Sequence, residues 1–262
     1  DNEDYWSEDD APEFLHYYYG KDGKALTSTW ASINGSWYYF NGSGVMQTGW
    51  LKLSNSTYYL NGSGAMLTGW QLINGNWYYM NGSGAMLTGW QWIGNDWYYL
   101  YNNGVMKTGW LELGETKYYL DESGALRTGW FKVDSKWYYA NGSGAMQAGW
   151  LKTGNTWYYL NGSGVMLTGW QWVGSAWYYL NGSGAMATGW LKLGTTWYYL
   201  DGSGAMLTGW QSIGGKWYYL DGSGAMKTGW YRVGSNWYYS NPSGVMRYST
   251  WIGDYYLLGD GR

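Results

Sequence analysis

Tryptophan recurs every 20 residues along most of this chain, without a single insertion. It is accompanied in every unit by a Tyr-Tyr pair eight and nine residues later, from Tyr38-Tyr39 to Tyr238-Tyr239. A fixed period of this length indicates a repeat architecture, in which each unit buries its apolar face only against its neighbours. These first tryptophans are Trp30, Trp50, Trp70, Trp90, Trp110, Trp130, Trp150, Trp170, Trp190, Trp210 and Trp230.

Each unit has the pattern of a β-hairpin. In the unit of Trp70, residues 70–73 and 76–80 are rich in the aromatic and β-branched residues that strands favour. Asn74-Gly75 between them is a strong hairpin signal, whereas a glycine in first place, as in Gly174-Ser175, suits a type II′ turn. Because repeated units joined by repeated connectors, most of them Asn-Gly-Ser-Gly, favour a screw operation over a closed barrel, we predict an all-β fold, a β-solenoid of stacked β-hairpins, one per 20-residue repeat.

The phase of the repeat sets the predicted domain boundaries. An acidic N-terminal leader over 1–16 contains seven acids in its first 13 residues, which leaves 11 of the 18 acids against all 15 bases in the rest of the chain. The repeat array is predicted over 17–258, with a half-repeat at 17–29, full repeats over 30–249 and a cap repeat at 250–262. Neither part is charged enough to indicate nucleic-acid binding.

Composition excludes several kinds of chemistry. The chain has no cysteine and one histidine, so a disulfide scaffold, a thiolate metal site and a cysteine nucleophile are excluded, and a catalytic triad is disfavoured. His16 lies in an aromatic stretch and is interpreted as packing. The acids of the connectors and the leader do not form a rigid carboxylate pair, and no apolar run is long enough for a membrane span. We expect no enzyme activity, no metal and no cofactor.

The 24 tryptophans and 31 tyrosines stand beside only three phenylalanines, so these rings were not chosen simply as apolar filler. With a two-residue turn, Trp70 pairs with Tyr79, and Trp77 shares the face of Trp70. The opposite face of the next hairpin then brings Tyr98 to the two tryptophans. Three rings from two hairpins form an open-sided box, although a role purely in packing stays open.

An aromatic box without a carboxylate suits a quaternary ammonium group, because the methyl groups are buried and the charge is attracted by the rings, by about 2 kcal/mol for a desolvated contact. When the cost of immobilising the ligand is subtracted from this attraction, a single site is expected to have roughly millimolar affinity. An array of such sites would bind a polymer more strongly by avidity.

The motif TGW-x6-WYYLNGSGAM, well seen from Thr68 to Met86, resembles the choline-binding repeats of surface proteins of Gram-positive cocci and their phages. The resemblance implies a secreted protein attached to the cell-wall surface, with phosphocholine of teichoic acids held by two tryptophans of one repeat, a tyrosine of the next and a nearby Met or Leu. Carried onto this chain, it implies choline sites at Trp30/Trp37/Tyr58, Trp70/Trp77/Tyr98, Trp90/Trp97/Tyr118, Trp130/Trp137/Tyr158, Trp150/Trp157/Tyr178, Trp170/Trp177/Tyr198, Trp190/Trp197/Tyr218 and Trp210/Trp217/Tyr238.

Three units depart from this pattern. Thr57 and Lys117 replace the second tryptophan, so no choline site is predicted at Trp50 or Trp110. Trp230 and Trp237 are included as a further candidate pair, which only the irregular cap residues Trp251 and Tyr255 can complete. The acids around Lys117 are interpreted as a solvated turn region, with a protein contact as the alternative.

Three functions are open at this point. The first is a non-catalytic protein that anchors itself to choline-bearing wall polymers, as an adhesin or as a regulator of wall hydrolases; only about 29 residues precede the first full unit, too few for a catalytic domain. The second is the wall-targeting module of a hydrolase whose catalytic domain lies outside this chain. The third is a glucan-binding array, which the purely aromatic and apolar boxes disfavour.

Overall fold

The structure, a computed structural model, describes residues 15–262, so residues 1–14 of the predicted leader lie outside the described residues. Within that range all regular structure is β-strand, and every sheet is a two-stranded antiparallel hairpin. The predicted all-β fold with one hairpin per 20 residues is confirmed, and no closed barrel forms among these hairpins. Each hairpin is named below by its first tryptophan. The chain divides into two compact units, which meet in sequence between Arg127 and Thr128.

The first compact unit contains five hairpins. Their strands are β1 (Thr29–Ile33), β2 (Ser36–Phe40), β3 (Gly49–Leu53), β4 (Ser56–Leu60), β5 (Gly69–Ile73), β6 (Asn76–Met80), β7 (Gly89–Ile93), β8 (Asp96–Leu100), β9 (Gly109–Leu113) and β10 (Thr116–Leu120). A single bridge between Tyr19 and Ala25 precedes them, in the segment predicted as a half-repeat. His16 is exposed there, so its interpretation as a packing residue is wrong; instead, its backbone carbonyl accepts a 2.8 Å hydrogen bond from the Met46 amide.

The second compact unit contains seven hairpins, and the last of them is shortened to three-residue strands. The strands are β11 (Gly129–Val133), β12 (Lys136–Ala140), β13 (Gly149–Thr153), β14 (Thr156–Leu160), β15 (Gly169–Val173), β16 (Ala176–Leu180), β17 (Gly189–Leu193), β18 (Thr196–Leu200), β19 (Gly209–Ile213), β20 (Lys216–Leu220), β21 (Gly229–Val233), β22 (Asn236–Ser240), β23 (Thr250–Ile252) and β24 (Tyr255–Leu257).

Two-residue turns set the register of every full hairpin, as the sequence predicts. Asn74 and Gly75 both have positive φ, at 49° and 79°, as a type I′ turn requires. In Gly174-Ser175 only the glycine has positive φ, which is the pattern of a type II′ turn. The resulting pairs, such as Trp70 with Tyr79, place both tryptophans of a hairpin on one face.

Most connectors between hairpins are held by the side chain of their first residue; in the one that begins at Tyr101, Asn103 Oδ1 accepts a hydrogen bond from the Val105 amide instead. Asn81 Oδ1 accepts hydrogen bonds from the backbone amides of Ser83 and Ala85, both at 3.0 Å. Three connectors carry aspartate instead. At Asp221, partial burial raises the pKa, but hydrogen bonds that include those from Ser223 and Lys227 outweigh it and lower the pKa to about 2.

The core of each unit is a column formed by the residue that ends every second strand. In the first unit these side chains are fully buried or nearly so: Phe40, Leu60, Met80, Leu100 and Leu120. In the second unit they are Ala140, Leu160, Leu180, Leu200, Leu220, Ser240 and Leu257. Because the column residue lies on the hairpin face opposite to the tryptophans, burial of a tryptophan is not needed to fill the core.

In two hairpins the column residue is small, and a larger side chain on the same hairpin face fills the space that it leaves. Where the column residue is small, its diagonal neighbour is a large ring: Phe131 accompanies Ala140, and Tyr231 accompanies Ser240. The Tyr231 hydroxyl and the Ser240 hydroxyl are 2.9 Å apart and form a buried hydrogen bond. Burial raises the pKa of Tyr231 to about 12, although this hydrogen bond opposes the shift. The exchange keeps the interior filled while the backbone stays unchanged.

Candidate functional site: aromatic cages between hairpins

The first tryptophan of a hairpin contacts the first tyrosine of the following hairpin, edge to face. This is the tyrosine that the register argument selects from each Tyr-Tyr pair. The second tyrosine packs against the first tryptophan of its own hairpin, as Tyr79 does at 5.1 Å from Trp70. Ring centroids are separated by 5.0 Å in Trp30–Tyr58, 4.9 Å in Trp70–Tyr98, 5.1 Å in Trp90–Tyr118, 4.8 Å in Trp130–Tyr158, 4.7 Å in Trp150–Tyr178, 5.0 Å in Trp170–Tyr198, 4.8 Å in Trp190–Tyr218 and 4.8 Å in Trp210–Tyr238.

In the hairpins of Trp70, Trp150 and Trp190 the second tryptophan forms a further wall, nearly perpendicular to the first. Trp150 and Trp157 have centroids 6.3 Å apart and an interplanar angle of 89°. Trp190 and Trp197 repeat this geometry at 6.2 Å and 90°. A set of two tryptophans from one hairpin and the tyrosine from the next is called a cage below.

Two hairpins carry an additional tryptophan that changes the surroundings of the second one. Trp97 and Trp177 pair across their hairpins with Trp92 and Trp172, and in both pairs the ring centroids are 5.5 Å apart at 62°. This ring contact was not foreseen from the sequence, which assigns Trp177 only to a cage with Trp170. Trp177 lies on the face of Trp170 and is 41% exposed, so its ring is accessible there. Its role as a cage wall, like that of Trp97, stays a prediction.

Three cages line cavities that are open to solvent and differ in volume. The cavity of the Trp30 cage is about 440 Å³, that of the Trp150 cage about 220 Å³ and that of the Trp130 cage about 180 Å³. Each is lined by its three aromatic residues, a methionine and a serine, with no charged side chain among the lining residues. The methionine and serine pairs are Met66 and Ser83, Met186 and Ser203, and Met166 and Ser183.

The methionine of the cage comes from the connector that follows the next hairpin. Its backbone amide donates a hydrogen bond to the carbonyl of the second tryptophan, from Met66 to Trp37 and from Met186 to Trp157, both at 2.8 Å. In the Trp90 cage Leu126 takes this position and donates to Trp97 at 2.9 Å. These cages are therefore built from three successive structural segments of the chain, which is why the specific methionine was not identified from the sequence alone.

The serine was also missed, and the expectation of purely aromatic and apolar boxes is wrong in this respect. Ser83 lies in the connector one repeat beyond Met66, and its hydroxyl donates a 2.7 Å hydrogen bond to Asn81 Oδ1. This donor is committed to the connector, so the serine leaves only an acceptor oxygen toward the cavity.

The departing units differ as the sequence suggests. Trp50 contacts Tyr78 at 4.8 Å, but Thr57 provides no second ring, and Trp50 is 42% exposed. At the Trp110 hairpin, Lys117 forms an exposed ion pair with Glu112, with Nζ and Oε1 2.8 Å apart. The charge of Lys117 is thus paired within its own hairpin.

The last candidate cages differ from the others. The Trp210 cage, with Trp217 and Tyr238, opens into a larger cavity of about 1290 Å³, whose lining also includes Lys216, Arg247, Asp260 and Met246. At Trp230 the closing ring is Tyr255, at 5.5 Å, while Trp237 and Trp251 are 57% and 64% exposed.

Among residues 15–262, no group of three or more histidine, cysteine, aspartate or glutamate side chains could hold a metal ion. The same part of the chain contains no helix that is long and apolar enough to cross a membrane.

Comparison with known proteins identifies these repeats. A family model described as the choline-binding repeat matches residues 26–68, 87–128, 127–168, 167–208 and 207–251, and one described as a putative cell wall binding repeat matches 68–86. A comparison with curated protein sequences found no match.

Similar solved structures come from Streptococcus pneumoniae. CbpJ is 37% identical, with 89% of this chain and 98% of CbpJ covered and a TM-score of 0.74. Choline binding protein F is 34% identical, with coverage of 88% and 97% and a TM-score of 0.70. The modular autolysin LytC is 29% identical, with coverage of 85% and 52% and a TM-score of 0.55. The matched repeats and the similarity over nearly the whole of CbpJ show that this chain belongs to the choline-binding repeat family.

Proposed function

We propose that the chain binds choline in its eight complete cages, without catalysis, and so attaches itself to phosphocholine of teichoic acids in the cell wall. The observation that supports this best is the Trp150 cage, where three rings and Met186 surround a cavity of about 220 Å³ with no charged lining residue. A carboxylate is absent from this lining, so the attraction for a cation comes from the ring faces, and the methyl groups of choline gain from apolar contact.

Each cage is expected to be weak on its own. Cation–π contacts of about 2 kcal/mol, set against the cost of immobilising a small ligand, correspond to a dissociation constant of about 1 mM. Several cages on one chain can engage a polymer that carries many choline groups, which raises the overall affinity through a high local concentration. Repetition therefore gives the chain a firm attachment that one cage does not provide.

The relatives support the wall as the place of action. Choline binding protein F has been solved in the presence of a peptidoglycan analogue and in complex with ipratropium, and LytC in complex with a synthetic peptidoglycan ligand. We therefore place this chain outside the cell, on the cell-wall surface, where occupied choline groups would be withheld from wall hydrolases or where the protein would act as an adhesin.

A choline affinity resin tests the proposal directly. The full chain is expected to be retained and then released by free choline, whereas dextran at the same mass concentration leaves it bound. Release by dextran alone would support the glucan-binding alternative, and absence of retention would contradict choline as the ligand. A variant with all eight second tryptophans of the complete cages changed to threonine, as the chain itself has at Thr57, is expected to pass through the resin.

A second candidate function is supported by LytC, of which the matched region covers 52%. Similar repeats therefore occur in a modular autolysin, and this chain would then serve as the wall-targeting module of a hydrolase. The gene product that contains this sequence decides between the two: a hydrolase domain joined to it would support the targeting module over the stand-alone protein.

A further inference from the structure

One position on the face of each cage carries a lysine in some cages and an uncharged residue in others. This position, called the flank position below, pairs directly across the hairpin from the second tryptophan. In three complete cages it is lysine, and the pairs are Lys132 with Trp137, Lys152 with Trp157 and Lys192 with Trp197. In the other five it is uncharged: Ser32, Leu72, Trp92, Trp172 and Ser212.

The three lysines extend over the ring of the second tryptophan. Their Nζ atoms lie 5.9, 5.7 and 5.6 Å from the ring centroids of Trp137, Trp157 and Trp197. All three side chains are exposed, and none forms an ion pair with another residue of the described range. Each therefore keeps a free, hydrated ammonium group beside a cage wall.

The register also places each lysine next to the first tryptophan. Lys152 stands two residues after Trp150 in the same strand, so their side chains share a face, and it stands opposite Trp157. The lysine thus occupies the corner of the hairpin face between the two tryptophans. Its four-carbon stem allows the ammonium group to reach the rim of the cage.

A positive charge at the rim affects two related ligands in opposite ways. Free choline brings only a cation, which the ammonium group repels. Phosphocholine brings the same cation and a phosphate one ethylene group away, and the uncharged cage cannot bind that phosphate. Lysine can do so, as a point charge with three donors.

We propose that Lys132, Lys152 and Lys192 bind the phosphate of a phosphocholine whose ammonium group occupies the adjacent cage, so that these three cages prefer phosphocholine to choline. The inference rests on the proposed choline function and deepens it. The array then contains three cages with a lysine at the flank position, which bind the phosphate as well, and five without one. Among these five, the Trp210 cage is a separate case, because Lys216 and Arg247 also line its cavity. The exposed, salt-screened contact is expected to change the affinity ratio about two- to five-fold.

Titration of the full chain, labelled with ¹⁵N at the tryptophan indoles, tests the proposal at single cages. Choline and phosphocholine are added in separate titrations, and the signals of Trp137, Trp157 and Trp197 are expected to respond at about two- to five-fold lower concentrations of phosphocholine. Trp37 and Trp77 are expected to respond with no such preference. In the K132Q/K152Q/K192Q variant the preference at the three lysine cages is expected to disappear, and choline affinity to stay equal or rise.

Lys52 provides a matched control, because it occupies the flank position opposite Thr57, in the hairpin that lacks a second tryptophan. The K52Q variant is expected to leave every titration unchanged. An unchanged phosphocholine preference in the triple variant, or the same preference at Trp37, would overturn the proposal while leaving choline binding intact. Absence of any response to choline at all cages would instead contradict the proposed function itself.

Discussion

The hairpins of Trp30 and Trp50 differ on the cage face at two paired positions. The second tryptophan, Trp37, is replaced by Thr57, and the flank residue opposite it is Ser32 in one hairpin and Lys52 in the other. Their first tryptophans contact the next tyrosine at 5.0 and 4.8 Å, and the following methionine amides donate to the carbonyls of Trp37 and Thr57 at 2.8 and 2.7 Å. The backbone is therefore the same with or without the second tryptophan. The exposure of the rings is not the same.

Where the second tryptophan is missing, the first becomes more exposed. Trp50 is an exposed residue, whereas Trp30 and the first tryptophans of the other complete cages are intermediate in exposure. Trp37 itself is 47% exposed, and Leu60 in the neighbouring column is fully buried. The comparison separates two positions: the column residue is buried in the hairpin stack, whereas the second tryptophan is exposed and is not required by the fold, which agrees with its proposed role as a binding wall.

The largest expected effect concerns the column. Leu160→Ala removes a fully buried side chain and is expected to lower the free energy of unfolding by about 2–5 kcal/mol, because it leaves a cavity between stacked hairpins. Leu72→Ala, at an exposed leucine, is expected to change it by less than about 0.5 kcal/mol. Urea unfolding followed by tryptophan fluorescence measures both. Equal losses would contradict the assignment of the column as core.

The second prediction concerns substitutions that give each of the two hairpins the other's residue at the second-tryptophan position. Thr57→Trp is expected to add one choline site and Trp37→Thr to remove one, since a desolvated ring face contributes about 2 kcal/mol to a cation. Calorimetric titration with choline measures the number of sites. The free energy of unfolding is expected to change little in either variant, and a stoichiometry that stays constant in both would contradict the two-tryptophan cage.

The third prediction concerns the methionine that lines the Trp30 cage. Gly84 has a φ of +81°, and a Cβ there would collide with the Met66 side chain. Gly84→Ala is expected to lower the free energy of unfolding by about 1–3 kcal/mol and to weaken choline binding in this cage. Gly82→Ala in the same connector is the control for stability alone, because a Cβ there meets no atom and its φ is not positive, although Gly82 also lines the Trp30 cavity. If the two substitutions lowered the free energy of unfolding equally, the positive φ of Gly84 and its contact with Met66 would not explain the effect.

The smallest expected effect is a pH dependence in one connector. The pKa of Asp221 in the folded chain is about 2, below its ordinary value of 3.8, so its contribution to stability is fully present above about pH 4 and is lost as the pH falls toward 2. Because the side chain is still 27% exposed to solvent, screening keeps this contribution below about 1 kcal/mol.

Asp221→Asn, which copies the connectors that carry Asn81 or Asn181, is expected to reduce the loss of stability between pH 5 and pH 2.5. Urea unfolding at the two pH values measures the difference. A variant that loses as much stability as the parent chain over this range would show that Asp221 titrates with an ordinary pKa.

Much of the fold and part of the candidate site could be predicted from the sequence. The Asn74-Gly75 turn sets the pairing of Trp70 with Tyr79, and the period of two in the strands then puts Trp77 on the same face. Stacking of equal units selects Tyr98 over Tyr99 as the ring from the next hairpin, which agrees with the 4.9 Å contact to Trp70. These features depend on local turn geometry and on a repeat that is uniform along the chain.

The remaining features depend on how one unit is displaced from the next. The sequence by itself determined the hairpins, their register and the faces that carry the rings. A two-residue turn fixes which residues pair across the hairpin, and side chains alternate between the two faces along each strand. Only the tertiary structure decided that Met66 and Ser83, from two later connectors, line the Trp30 cage and that Leu60 rather than a tryptophan fills the core. The rise and rotation between hairpins set these contacts, and they follow from packing across units rather than from any turn within one.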